Sequence, residues 1–147
     1  MSVPVKMAIV WRNELKVRLG KKMAQAGHAA HLWLTSKIKH VDQVCDWSRK
    51  DEDMLPLFGC YLTEDEVEWV KTNYPKIVLS VETEADLLVL KEKAESLGIK
   101  AQLVVDDGLT EFGGVKTTTC LAIGPAKSAD IDMITGEKGP LGRLKLM

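Results

Sequence analysis

Four short apolar runs, the first three of them separated by segments of helical character, restrict this chain to an α/β sheet. They are residues 6–11 (KMAIVW), 76–81 (KIVLSV), 101–105 (AQLVV) and 117–123 (TTTCLAI). Each has the length of a strand, and the last is rich in β-branched residues. The segment from residue 20 to about 39 reads as a helix. Its Ala24, Ala26, Gly27, Ala29 and Ala30 are small enough to lie close against a sheet, and Leu32, Trp33 and Leu34 extend its apolar content. Residues 63–73 form a second helix, opened by the capping-box pair Thr63 and Glu66 and stopped by Pro75. Thr83 caps a third helix running to Leu97, with Gly98 at its C-terminal stop. Residues 128–134 make a last short helix, and residues 144–147 a short terminal strand. Residues 40–62 carry no readable pattern.

Strands alternating with helices give a sheet covered on both faces. Strands two and three are joined by a helix, so they run parallel, and strand one joins them in the same sense. Strands three and four are linked by about a dozen residues without helical pattern, which permits a reversal. The expected sheet is therefore mixed, mainly parallel and of about four strands. In open sheets of this kind, sites form outside the C-terminal ends of the strands. Gly20-Lys21, Asp106 and the threonines 117–119 are distant in sequence, yet this topology brings them to one rim.

The 147 residues suit one domain spanning 1–147, able to bury roughly 70% of its unfolded surface without disulfide or metal. Cys45, Cys60 and Cys120 are widely spaced, with no CxxC pair and no zinc pattern, and read as reduced thiols. The opening residues lack the apolar run of a signal peptide. No stretch approaches the roughly 20 residues of a membrane span, so a cytoplasmic protein without membrane contact is expected. Net charge is −1, so any nucleic-acid contact must rest on local charge. That charge is uneven: Lys16, Arg18, Lys21 and Lys22 cluster with no acid between them, whereas residues 51–68 are acidic. A basic cluster alone is also compatible with a solvated face.

Lys21 stands at a strand-to-helix turn, where free N–H groups attract phosphate. The position disfavours a cation electrostatically, which points to use rather than decoration. It is no Walker loop, because the first glycine and the hydroxyl residue of that pattern are missing. Asp106 follows an apolar strand directly, a frequent place for a catalytic carboxylate, although Asp107-Gly108 also reads as a plain turn. Gln25 lies one turn after Lys21 on the same face, with His28 a turn further. His28-x-x-His31 is not the zinc-protease pattern, and a helix histidine is often structural. No GxSxG elbow or Cys/His/Asn set occurs, so water is the expected nucleophile of any hydrolysis.

In order and spacing these residues resemble the archaeal/eukaryotic-type peptidyl-tRNA hydrolases. Gly20-Lys21, Gln25 and His28-Ala29-Ala30 resemble the family's Gly-Lys-x-x-x-Gln-x-x-His-Ala motif. Asp106-x-Gly108-x-Thr110 resembles its Asp-Ala-Gly-Lys/Arg-Thr-Gln loop. The stretch 119–126, ending Gly124-Pro125-Ala126, resembles its fourth strand and turn. Ile134-Thr135-Gly136 and Leu144-Lys145-Leu146 resemble its closing motif. The likeness covers the first strand and helix, then resumes at Tyr74.

The resemblance implies a three-layer α/β/α domain, a homodimer, and hydrolysis of the ester at the 3′ end of peptidyl-tRNA without metal or other cofactor. It puts the catalytic positions on Lys21, Asp106 and Thr110 with Thr119 nearby, and leaves Gln25 and His28 without assigned roles. Asp106 would orient or activate water while Lys21 offsets the developing oxyanion; alternatively Lys21 holds a phosphate or Asp106 itself. Lys16, Arg18 and Lys22 would meet the acceptor-stem backbone. The chain departs from the family where Arg18-Leu19 replaces Gly-Lys, Asp107 replaces alanine and Glu111 replaces glutamine. One residue is added between Glu111 and Thr119, and several near 138–143. These departures keep a second reading open, an inactive RNA-binding or protein-interaction module on the same fold.

Overall fold

The structure is a computed structural model and describes residues 3–41 and 61–147. Cys45, Cys60 and most of the unpatterned stretch 40–62 lie outside the described residues.

The order of elements is β1 (Val5–Arg12), α1 (Leu19–Val41), α2 (Glu64–Lys71), β2 (Lys76–Val81), α3 (Glu84–Ser96), β3 (Ala101–Asp106), β4 (Thr117–Lys127), α4 (Ser128–Thr135) and β5 (Lys145–Leu146). Among the described residues five strands form one sheet in the order β3-β4-β1-β2-β5. β1 pairs parallel with β2 and antiparallel with β4, and β4 pairs antiparallel with β3. Strands β1, β2 and β3 therefore share one direction, as the helical connections require. Among the described residues only β1 and β2 are parallel neighbours, because β4 inserts between β1 and β3. The sheet has one strand more than about four, since the tail returns to pair Leu79 with Leu146 and Ser80 with Lys145.

β1 is central because it is apolar on both faces. Ala8 and Val10 face a layer of α3 and α4, where Leu87, Leu90, Ala94, Ile131 and Ile134 are fully buried. Met7, Ile9 and Trp11 face a layer of α1 and α2 with Ala29, Trp33 and Trp69. Alternation at the two-residue period of a strand thus produces a three-layer α/β/α domain. Trp69 meets Trp33 and Tyr74 edge-on, each at 5.4 Å between centroids, and fixes α2 on the sheet.

Helix ends follow the local chemistry. Thr83 and Asp86 form a complete capping box on α3, and Gly98 closes that helix at φ +70°. On α2 only half of the expected box forms. The Thr63 hydroxyl accepts from the Glu66 N–H, but the buried Glu66 carboxylate turns to Lys37 at 2.6 Å. A buried acid gains more from a cation than from one more backbone donor. This helix also ends before Pro75, at Lys71 with Thr72 as its cap, because Asn73 and Tyr74 take left-handed conformations (φ 68° and 57°).

Candidate active site

The rim where β1 and β3 end and β4 begins gathers the polar residues. β3 delivers Asp106 as its last residue, and α1 opens beside it with Gly20 and Lys21 in its first turn. The Asp106 Oδ2 atom accepts from Lys21 Nζ at 2.8 Å and from Gln25 Nε2 at 2.9 Å. Its Oδ1 accepts from the Gly108 N–H at 2.9 Å. Lys21 Nζ also donates to the Thr110 hydroxyl at 3.0 Å. Lys21 and Gln25, four apart on α1, face the same way, which is why one carboxylate meets both. The loop demands glycine at 108: φ is +78°, and a Cβ would sit 2.3 Å from the Val115 carbonyl oxygen.

Behind this group lie two buried polar side chains, Gln25 and Thr119. Gln25 is 1% exposed and Thr119 0%. The Thr119 hydroxyl donates to Gln25 Oε1 at 2.8 Å. A carboxylate only accepts, so the amide nitrogen must face Asp106, and its oxygen needs the donor that Thr119 supplies. Thr119 therefore reaches the carboxylate through Gln25 and does not line the open cleft. Lys21 beside Asp106 holds its carboxyl below the usual range, against the opposing effect of burial, with help from the Gly108 N–H and Gln25. Neighbouring Cys120 is buried, and burial pushes its thiol up to about 11, which removes it as a nucleophile.

The basic cluster divides. Lys21 turns inward and is largely buried with Asp106. Arg18 pairs with Glu111 at 2.8 Å, and its backbone N–H also points at that carboxylate. Lys22 lies over the Trp11 ring at 5.8 Å, Lys21 has the Phe112 ring at 5.4 Å, and Lys16 is exposed. His28 is exposed, and His31 Nδ1 contacts the Gly27 carbonyl oxygen within α1. Sequence reasoning did not anticipate the Arg18–Glu111 pair, Phe112 or the Gly108 N–H. Only the last left a local signal, the Asp-x-Gly spacing of an Asx turn.

The remaining valences define what the group can do. Asp106 Oδ1 takes one bond and has a second lone pair; Lys21 uses two of its three N–H groups on Asp106 and Thr110. A water and a carbonyl oxygen can therefore bind side by side, the first to the carboxylate and the second to the ammonium.

Residues 5–139 match the family described as Peptidyl-tRNA hydrolase PTH2. The peptidyl-tRNA hydrolase of Pyrobaculum aerophilum is 36% identical over 132 residues, covering 90% of this chain and 93% of its own. That of Thermococcus onnurineus is 33% identical, covering 89% and 92%. That of Methanocaldococcus jannaschii is 32% identical, covering 90% and 96%. A solved protein of unknown function from Agrobacterium tumefaciens strain C58 shares the fold at TM-score 0.51 and 12% identity, with 98% of each chain covered.

Proposed function

This chain belongs to the peptidyl-tRNA hydrolase PTH2 family and hydrolyses the ester of peptidyl-tRNA, and from that premise we propose that Lys21, Asp106 and Thr110 perform the chemistry. The observation that carries the proposal is the cluster in which Lys21 Nζ bridges Asp106 and Thr110 at 2.8 and 3.0 Å. Water bound to the free lone pair of Asp106 attacks the ester carbonyl carbon. The third N–H of Lys21 donates to the oxygen that becomes negative. The bond to the terminal ribose oxygen then breaks, and that oxygen leaves with a proton that came from the water. Asp106, held ionised by its donors, is a weak proton acceptor and so orients the water. The Thr110 hydroxyl aligns Lys21, and Gln25 with Thr119 behind it aligns Asp106.

The same reading gives the protein a place in translation, as a cytoplasmic homodimer formed from single domains spanning 1–147. Lys16, Arg18 and Lys22 contact the tRNA acceptor backbone, with Arg18 exchanging Glu111 for phosphate. The added segment near 138–143 adjoins Lys6, in the N-terminal part of β1 and so at the end of that strand opposite the cleft, which it leaves unobstructed. That separation, with the intact cluster, favours the enzyme over the inactive module.

The test is release of free tRNA from N-acetylaminoacyl-tRNA. Wild type should turn over, and Lys21→Ala or Asp106→Asn should lose on the order of 10²-fold or more. Lys91→Ala, a surface change on α3, should be neutral. Wild-type rates in both site variants would remove the assignment, and tRNA binding without turnover would restore the module.

A further inference from the structure

β3 is an edge strand. It pairs with β4 on one side, and among the described residues no strand pairs with the other. A groove of about 530 Å³ follows this edge, with His28, His31 and Thr35 of α1 on one wall and Leu103 and Val105 of β3 on the other. The groove ends at the reaction centre: Val105 precedes Asp106, and His28 lies one turn beyond Gln25.

We propose that this groove binds the peptide part of the substrate as an added strand, parallel to β3; the proposal rests on Asp106 being the reaction centre. The chain polarity decides the direction. The ester carbonyl is the C-terminus of the peptide, and Asp106 is at the C-terminal end of β3, so a peptide beside β3 with its ester at Asp106 runs the same way. An edge strand recognises main-chain N–H and C=O groups and leaves side chains free. A hydrolase that must accept whatever peptide the tRNA carries needs that kind of recognition.

Two further observations favour a peptide over other occupants. Ala101–Asp106 carries neither lysine nor proline, the residues that normally protect an exposed edge, and Val105 is 53% exposed. Among the described residues the groove lining also contains no lysine or arginine, whereas a groove that tracks nucleic-acid phosphates is basic. From His28 to Thr35 the helix wall is roughly 10 Å long, room for about three extended residues.

The test compares N-acetylaminoacyl-tRNA with substrates whose peptide is lengthened by one to four alanines. KM should fall by roughly tenfold over about the first three added residues, as a few main-chain hydrogen bonds form, and then level. N-methylation of successive peptide nitrogens should raise KM at alternate positions only. Val105→Arg, at an exposed site that should not disturb folding, should erase the advantage of the long substrates. A KM independent of length, or indifferent to N-methylation at every position, overturns the proposal. So does Val105→Arg raising KM equally for short and long substrates, which would put the RNA end in the groove, or changing the oligomeric state, which would put a second copy there. If N-acetylaminoacyl-tRNA is cleaved without length dependence, only this inference fails. If it is not cleaved at all, the reading of Lys21 and Asp106 fails with it.

Discussion

The two helical layers sit on the same sheet and are built from different materials. Under α3 and α4 the buried side chains are almost wholly aliphatic: Leu87, Leu90, Ala94, Ile131 and Ile134 against Ala8, Val10, Leu121 and Ile123. Under α1 and α2 they include Trp11, Trp33 and Trp69, and among them the buried polar residues Gln25, Glu66 and Thr119. Aliphatic burial is non-directional and supplies stability. Buried polar groups are costly unless paired, and their pairing fixes geometry. One face of the sheet thus holds the fold together while the other holds a carboxylate and an ammonium in register.

That division can be broken at either face. Leu90→Ala should cost about 2–5 kcal/mol of stability, measured by denaturant unfolding, and leave kcat of the folded fraction near wild type. A large loss of kcat would show that the aliphatic layer also sets the site. Asp106→Asn should do the reverse, lowering turnover by on the order of 10²-fold while the protein remains folded. Since its carboxyl lies below the ordinary range, Asp106 contributes stability that is complete above about pH 4 and is lost as pH falls through the folded value. The acid limb of the wild-type rate should accordingly lie below the usual carboxylate region.

A smaller effect is expected one step back. Thr119→Val keeps the shape but withdraws the donor from Gln25 Oε1. The freed amide can rotate its oxygen toward Asp106, so turnover should drop roughly tenfold and the acid limb should move to higher pH. A uniform loss with an unmoved limb would make Thr119 merely structural. Smallest of all, Lys16→Ala and Lys22→Ala should each weaken tRNA binding a few-fold and reduce the salt slope by roughly 0.7–0.9. Unchanged slopes would leave both as solvated surface.

Much of this was legible in the sequence because it is local. The strands follow from apolar runs, α3 from Thr83 and Gly98, and the placing of Lys21 and Gln25 on one face from helical periodicity. Asp106 was legible as a strand-end carboxylate once the connections gave β1 and β3 one direction. The unread parts depend on contacts between distant residues. Nothing near Arg18 announces Glu111, 93 positions away. Glu66 looks like a capping residue until Lys37 arrives from α1. Thr119 looks like an open hydroxyl on a rim until Gln25 covers it. The insertion of β4 between β1 and β3 is likewise a decision of packing, since the loop before β4 permits a reversal without choosing the strand's neighbours.

The central claim is that Lys21 and Asp106 act as one unit, and a double-mutant cycle under single-turnover conditions with saturating enzyme tests it most directly. Hydrolysis of N-acetylaminoacyl-tRNA would be followed for wild type, Lys21→Ala, Asp106→Asn and the double variant. Each single change should cost on the order of 10²-fold, and the double variant should be no slower than about the worse single, because either loss already dismantles the pair. Losses that multiply would mean two independent contributions, and rates near wild type in either single variant would contradict the account.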